Sequence, residues 1–251
     1  MLYAGGEGGE IYRIDPHSRT VESIAETGGF VLGMAVDGSG TLYACDNGRS
    51  EILTISPTGD IGIYSIGTTD RQLRTPNYAS FDAHGNLYVS DSGEWGAVDG
   101  CIFRISPGGK TQLWSEAAAA FPNGLALSPD TNYLYVVESF PPAVVRIAIA
   151  ADGSAGAREV LVELPGLVPD GIAFAIDGSL YIACYRPDAI YRLSLEGALT
   201  VFSEDPQGTR LAAPTNIAFD GTTLYAANFA RWHLSRFVAP VAGLSLHYPR
   251  V

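Results

Sequence analysis

The stretch NYASFDAHGNLYVS, residues 77–90, decides the fold. It contains two alternating apolar runs joined by an Asp-Ala-His-Gly segment, and alternation with a period of two residues is typical of β-strands. Its Leu-Tyr pair, Leu87-Tyr88, opens the second run. The stretch therefore predicts a β-hairpin, and the rest of the chain repeats the same pattern.

The Leu-Tyr pair occurs six times, and its leucines are Leu2, Leu42, Leu87, Leu134, Leu180 and Leu224, at intervals of 40 to 47 residues. A second strand follows each pair, with the signatures IYRI at Ile11, ILTI at Ile52, IFRI at Ile102, VVRI at Val144, IYRL at Ile190 and LSRF at Leu234. A further strand precedes every pair from the second onward, and a weaker fourth strand follows in most repeats. Four antiparallel strands in about 45 residues are typical of a propeller blade.

These repeats predict an all-β protein, a six-bladed β-propeller of four-stranded antiparallel blades, with residues 1–251 forming a single domain. A parallel solenoid is the competing repeat architecture, but its repeats are shorter and lack hairpin turns. Only Met1 precedes the first Leu-Tyr pair, so we expect the first blade to lack its inner strand. The open edge exposes unpaired backbone groups. The C-terminal tail at residues 243–249, another chain through self-association, or residues missing before Met1 could cover it.

Composition limits the partners and the location. The formal net charge is −12 and the sequence pI is about 4.6, so nucleic acids and anionic membrane surfaces are repelled and a small-molecule substrate is expected. The three cysteines are far apart and form no C-x-x-C motif, which predicts buried thiols in a reducing compartment. The chain shows no apolar run of membrane-spanning length and no signal peptide, which predicts a cytoplasmic protein. G-x-S-x-G, H-E-x-x-H and P-loop motifs are absent.

Polar residues recur at one position of the inner strands. Alignment of five inner strands places Leu32, Asn77, Asn123, Asp170 and Thr215 at the same first position, which in a propeller rings one mouth of the central channel. Carboxylate and amide oxygens are hard ligands that suit Ca²⁺ and Mg²⁺. The dipeptides Asn123-Gly124 and Asp170-Gly171 also fit a tight turn at the start of a strand. Because Asn77 precedes a tyrosine, a turn preference does not explain the whole set.

The loops after the Leu-Tyr strands are expected to open at the same mouth, and the longest covers residues 91–100. Long loops at such a mouth often form a substrate wall. Taken individually, each side chain of these loops also fits a solvated position. The predicted substrate-binding residues on the loops and strand starts are Glu94, Trp95, Glu138, Phe140, Tyr185, Arg186, Thr215, Asn216 and His233.

The segments TPNYASFD, FPNGLALSPD, VPDGIAF and PTNIAFD, with LYVSDSGEWG, LYVVES and LYIACYRPD, resemble the SMP-30/gluconolactonase/LRE-like family over essentially the whole chain. The resemblance implies a six-bladed propeller that binds one divalent cation, usually Ca²⁺, with Zn²⁺, Mg²⁺ and Mn²⁺ as alternatives, and that hydrolyses sugar lactones. It implies that Asn123 and Asp170 are metal ligands and that Asn77 is a ligand or a substrate-contacting amide. The family's remaining ligand, a glutamate of the first inner strand, has no match here.

The leading hypothesis is a divalent-metal-dependent hydrolase that opens sugar or related lactones at the mouth of the channel. In this hypothesis Asp170 takes the proton of the attacking water and Asn77 stabilises the oxyanion. The alternatives are a metal-dependent esterase or organophosphate hydrolase, a non-catalytic ligand-binding propeller, and a strictosidine-synthase-like condensation. The last requires an acidic residue that we cannot locate in this sequence.

Overall fold

The computed structural model describes all 251 residues, which form 22 β-strands in six antiparallel sheets. It contains no helix, so no helix is present that could span a membrane. By their internal contacts the residues divide into two compact units. Unit 1 consists of Met1–Glu94, Gly100–Glu116 and His247–Val251, and unit 2 consists of Trp95–Asp99 and Ala117–Leu246.

Unit 1 contains the first three sheets. The first sheet consists of β1 (Leu2–Gly5), β2 (Glu10–Asp15) and β3 (Thr20–Glu26). The second consists of β4 (Val31–Val36), β5 (Leu42–Asp46), β6 (Glu51–Ile55) and β7 (Ile61–Ser65). The third consists of β8 (Pro76–Phe81), β9 (Leu87–Asp91), β10 (Cys101–Ile105) and β11 (Thr111–Ser115).

Unit 2 contains the last three sheets. The fourth sheet consists of β12 (Pro122–Leu127), β13 (Tyr133–Ser139), β14 (Pro142–Ile149) and β15 (Ala155–Glu163). The fifth consists of β16 (Val168–Phe174), β17 (Leu180–Arg186), β18 (Ala189–Leu193) and β19 (Leu199–Glu204), and the sixth of β20 (Pro214–Asp220), β21 (Thr223–Asn228) and β22 (Leu234–Val238). The six sheets are the blades of a six-bladed β-propeller, as the repeats predict.

Two blades have three strands. The first lacks its inner strand as predicted, whereas the prediction of a fourth strand in the sixth blade is wrong. After β22 the chain leaves the sheet, and Gly243 bridges Ala175 at the end of the fifth inner strand. Near the C-terminus, the Pro249 carbonyl accepts a hydrogen bond from Gly38 N at 2.6 Å. These contacts join the tail to turns and strand ends of other blades, and β1 has no strand partner on its inner edge.

The tyrosine of the Leu-Tyr repeat packs between neighbouring blades. In unit 1, Tyr43 meets Phe81 of the next inner strand edge to face, with ring centroids 5.0 Å apart. In unit 2, Tyr135 meets Phe174 at 4.9 Å and Tyr181 meets Phe219 at 5.2 Å. Edge-to-face aromatic pairs contribute about 0.5–1.5 kcal/mol beyond their buried area. In these three repeats the tyrosine therefore contributes to packing between blades, whereas Tyr88 meets Trp114 of its own blade, with ring centroids 5.1 Å apart.

Each inner strand of blades two to six carries one extra residue near its start. In the fourth blade, for example, Pro122 pairs with Glu138 and Leu125 pairs with Val136. Between these two pairs the chain advances three residues along β12 but only two along β13. The same irregularity occurs in the other four inner strands. A β-bulge of this kind bends the strand and redirects the side chain at the bulge. The bulge falls at the polar first position that the sequence alignment identified.

The glycines beside this position are required by close packing of the inner strands. A Cβ on Gly124 would lie 2.4 Å from the Asp170 carbonyl oxygen, and a Cβ on Gly171 would lie 2.7 Å from the Thr215 carbonyl oxygen. Both glycines lie within β-strands and have no positive φ. The alternative explanation, that Asn-Gly and Asp-Gly mark tight turns here, is therefore wrong.

Candidate functional site

Asn123 and Asp170 interact in unit 2. Asn123 lies in β12 directly after Pro122, and Asp170 lies in β16 directly after Pro169, so both occupy the bulge of their strands. The Asn123 side chain hydrogen-bonds the Asp170 carboxylate. Because Gly124 allows the two inner strands to approach closely, an amide and a carboxylate from different blades meet at one point.

The environment of Asp170 favours a neutral carboxyl. Burial raises its pKa from 3.8 to about 7, and only the hydrogen bond from Asn123 opposes this shift. No cationic side chain contributes to the shift. The residue keeps part of its accessible surface although protein atoms surround its carboxyl densely. A carboxylate in such surroundings is destabilised unless a positive charge compensates it.

A serine supports each of the two asparagines. Ser139 lies at the end of β13, where its hydroxyl accepts a hydrogen bond from Asn123 Nδ2 at 3.4 Å and donates one to the Pro169 carbonyl at 2.7 Å. In unit 1, Asn77 Nδ2 donates to the Ser92 hydroxyl at 2.9 Å. Sequence reasoning missed both serines, although each directly follows an acidic residue in LYVSDS and LYVVES, and this shared Asp/Glu-Ser dipeptide could have identified them.

In four blades, the residue four positions after the leucine of the Leu-Tyr pair is polar. This residue holds the loop that leads into the inner strand of the same blade. Its side-chain oxygen accepts a backbone N–H of that loop. The pairs are Asp46 with Phe30 N at 2.9 Å, Asp91 with Arg74 N at 2.6 Å, Glu138 with Ala120 N at 3.0 Å and Asn228 with Ala212 N at 2.8 Å. These four residues are buried, so their main role is to hold the loops that lead to the site.

Glu138 is one of these buried residues. The residue is 2% exposed, its Oε1 accepts a hydrogen bond from the Ala120 amide, and its Oε2 forms an ion pair with Arg158. Both carboxylate oxygens are therefore used within the protein. This structural role explains the glutamate at a position where the sequence suggested substrate contact.

The other predicted substrate-binding residues differ in exposure. Glu94, Trp95, Phe140, Arg186 and His233 are exposed, whereas Tyr185, Thr215 and Asn216 are half-buried. The Arg186 guanidinium lies over the Tyr185 ring, 4.9 Å from its centroid, and bonds Asp188 at 3.0 Å. His233 Nε2 lies 3.0 Å from the Arg210 carbonyl oxygen. Substrate contact by these residues stays a prediction.

The donor set around Asp170 fits an oxygen-preferring cation. The structure contains no cluster of three or more His, Cys, Asp or Glu side chains that could hold a metal, so a cation here would depend on one carboxylate together with amide oxygens. The buried Asp170 carboxylate has no cationic side chain to compensate it, and the Asn123 amide lies against it. Carboxylate and amide oxygens suit Ca²⁺ or Mg²⁺ rather than softer metals.

The three cysteines are free and fully buried, as expected. Burial raises the pKa of Cys101 and of Cys184 to about 12 and raises that of Cys45 further. Such thiols are poor nucleophiles because the thiolate is the reactive form. Cysteine chemistry therefore has no part in the site.

Comparison with known proteins identifies the family. Residues 4–228 match the SMP-30/gluconolactonase/LRE-like region, and the chain belongs to this family. A gluconolactonase from Zymomonas mobilis is 28% identical over 198 residues, which cover 69% of this chain and 54% of the relative. A 6-deoxy-6-sulfogluconolactonase from Pseudomonas putida is 26% identical over 257 aligned positions, which cover 90% of this chain and 81% of the relative. The match thus spans about half the length of the Zymomonas protein.

Solved structures share the fold. A gluconolactonase from Xanthomonas campestris superposes with a TM-score of 0.78 at 20% identity, covering 94% of this chain and 80% of that one. A luciferin-regenerating enzyme gives a TM-score of 0.78 at 19% identity, covering 97% of this chain and 89% of that one. At this identity the likeness concerns the fold, and the activity has to be argued from the site.

Proposed function

We propose that this protein is a divalent-cation-dependent lactone hydrolase whose general base is Asp170. The observation that carries the proposal is the desolvated Asp170 carboxyl, which hydrogen-bonds Asn123 and has no cationic side chain to compensate its charge. Membership of the family and the names of the relatives from Zymomonas and Pseudomonas support lactones as the substrate class.

Asn123 and Asp170 would hold the cation through their side-chain oxygens. A divalent cation in such a site polarises the substrate carbonyl and lowers the pKa of a bound water. Asn77 has the equivalent position in its own inner strand, and we assign it the role of a further ligand or an oxyanion-stabilising amide by that equivalence.

The protein groups would serve lactone opening as follows. Water adds to the carbonyl carbon while Asp170 takes one of its protons, and the C–O bond of the ring then breaks. The leaving ring oxygen takes up that proton, so the product is a hydroxy acid. A general base has to lie within hydrogen-bond reach of the attacking water, and we assign this role to Asp170, whose carboxyl lies beside the Asn123 amide. The hydrogen bonds from Asn123 to Ser139 and from Ser139 to Pro169 fix the amide beside it.

The test is a substrate panel assayed with metal-depleted protein, with and without added Ca²⁺, Mg²⁺, Mn²⁺ or Zn²⁺. D-glucono-1,5-lactone, simple aryl esters and an organophosphate separate the lactonase from the esterase and organophosphatase alternatives. We expect cation-dependent acid release from the lactone, and its loss in Asp170→Ala. Asp177→Ala is the matched control, because Asp177 lies in the same blade and forms a surface ion pair with Arg192. Unchanged lactone turnover in Asp170→Ala would remove Asp170 from the mechanism.

A further inference from the structure

Three aromatic side chains of unit 2 form one surface, which we call the aromatic shelf and define as Trp95, Phe121 and Phe140. The Trp95 and Phe121 rings meet edge to face with centroids 4.8 Å apart, and Trp95 and Phe140 lie 5.8 Å apart at 38°. Trp95 is 55% exposed and Phe140 is 49% exposed, and Val98 beside Trp95 in the same loop is 72% exposed. Exposed apolar surface of this kind marks binding sites in soluble proteins.

The aromatic shelf lies on the same strand ends as Asn123. Phe121 precedes Asn123 by two residues, and Phe140 directly follows Ser139, whose hydroxyl bonds both Asn123 and the carbonyl of Pro169. Backbone hydrogen bonds from Ser139 N to Phe121 O at 3.1 Å and from Phe140 N to Ala120 O at 3.2 Å hold the two segments together. The segments that carry Phe121 and Phe140 are therefore fixed to each other and to the serine that holds Asn123.

Two polar side chains that directly precede Phe140 of the shelf, Glu138 and Ser139, are already used within the protein. Glu138 binds Ala120 N and Arg158, and the Ser139 hydroxyl binds Asn123 and Pro169. A polyhydroxylated ring placed on the shelf would therefore meet few free hydrogen-bonding groups there. The exposed area of Trp95, Phe140 and Val98 amounts to roughly 300 Å², which is well below the ~800 Å² per partner of a stable protein interface. The size suits a small planar group.

We infer that the aromatic shelf binds a planar apolar part of the substrate, so that the preferred lactone carries an aromatic ring beside its ester group. The inference rests on the proposed lactone hydrolysis and adds the substrate class and the specificity-determining residues Trp95 and Phe140. When the substrate ring stacks on Trp95 and Phe140, water leaves the contacting faces. Each aromatic contact then stabilises the transition state only for a substrate that carries the ring.

The test compares isochroman-3-one with δ-valerolactone, since both are six-membered lactones that release an alcohol and they differ by one fused benzene ring. We expect wild-type kcat/KM to be higher for isochroman-3-one by about tenfold or more, and the ratio of the two values to fall about three- to tenfold in Trp95→Ala. Trp95→Phe restores most of the ratio. The matched control is Trp232→Ala, which removes a tryptophan that is 97% exposed and outside the shelf, and it leaves the ratio unchanged.

Binding of the non-hydrolysable lactam 1,4-dihydro-3(2H)-isoquinolinone, measured by calorimetry, separates this inference from the hydrolysis itself. If no lactone is hydrolysed but the lactam binds and Trp95→Ala weakens it three- to tenfold, the shelf assignment stands and the proposed activity fails. Lactone hydrolysis with an unchanged ratio in Trp95→Ala and Phe140→Leu would overturn the inference. Concentration-dependent self-association that Trp95→Ala abolishes, with an unchanged ratio, would instead assign the shelf to a second copy of the chain.

Discussion

The substitution Asp170→Asn should stabilise the metal-depleted protein at neutral and alkaline pH. The pKa of Asp170 is about 7 in the folded protein, against an ordinary value of 3.8 for a solvated aspartate, so the folded state binds a proton more tightly than the unfolded state. The free energy of unfolding therefore falls as the pH rises from about 4 to about 7, and the penalty is complete above pH 7. Asparagine keeps the size and one acceptor oxygen but removes the charge.

The size of the effect follows from this difference. The pKa of Asp170 differs by about three between the folded and unfolded states, and each pKa unit corresponds to about 1.36 kcal/mol. The upper value for the loss of unfolding free energy is therefore about 4 kcal/mol. The side chain keeps part of its solvent contact, so we expect about 2 kcal/mol. Asp177→Asn serves as the control of opposite sign, because hydrogen bonding by Ser179 contributes most to the lowering of the Asp177 pKa, and this variant should not gain stability.

Urea unfolding of both variants and the wild type in chelator, at pH 4 and at pH 8, measures the effect. The difference between Asp170→Asn and wild type should be near zero at pH 4 and about 2 kcal/mol in favour of the variant at pH 8. Added Ca²⁺ should stabilise the wild type and not the variant. A variant that is less stable than wild type at pH 8 in chelator would refute the conclusion that the Asp170 charge is uncompensated.

Two further substitutions test the fold around the site, and a labelling experiment tests the thiols. Gly171→Ala should lower the free energy of unfolding by about 1–3 kcal/mol, measured by urea unfolding, because its Cβ would lie 2.7 Å from the Thr215 carbonyl oxygen; an unchanged midpoint would contradict the close packing. Asp91→Ala should cost about 2–4 kcal/mol because the backbone N–H groups of Arg74 and Thr75 lose their buried acceptor, and Asp91→Asn should cost less. The native thiols should stay unreactive toward Ellman's reagent and react fully in urea; fast labelling of the folded protein would contradict their burial.

Much of the fold follows from the sequence because the repeat has a simple physical cause. Each blade needs alternating strands joined by turns, and in three repeats the tyrosine also packs against the next blade. The Leu-Tyr pair therefore recurs and identifies the blades. The position of Asn77, Asn123 and Asp170 at the start of their strands also follows, since the alternating pattern fixes the register of each hairpin.

The sequence was less informative where contacts between residues far apart in the chain determine the structure. Gly124 and Gly171 look like turn glycines, but neighbouring strands require them. Glu138 looks like an exposed loop acid, yet it is buried against Ala120 N and Arg158. The sixth blade has three strands, and the chain after β22 bridges Ala175 through Gly243. No local sequence pattern predicts this long-range pairing.

The central claim is that the side-chain oxygens of Asp170 and Asn123 bind one divalent cation. Anomalous diffraction from crystals soaked in Ca²⁺ tests it most directly. The account predicts a single strong anomalous peak about 2.3–2.6 Å from an oxygen of each side chain, and its loss in Asp170→Ala. A peak elsewhere in the protein, or no peak at Asp170 at saturating Ca²⁺, would contradict it.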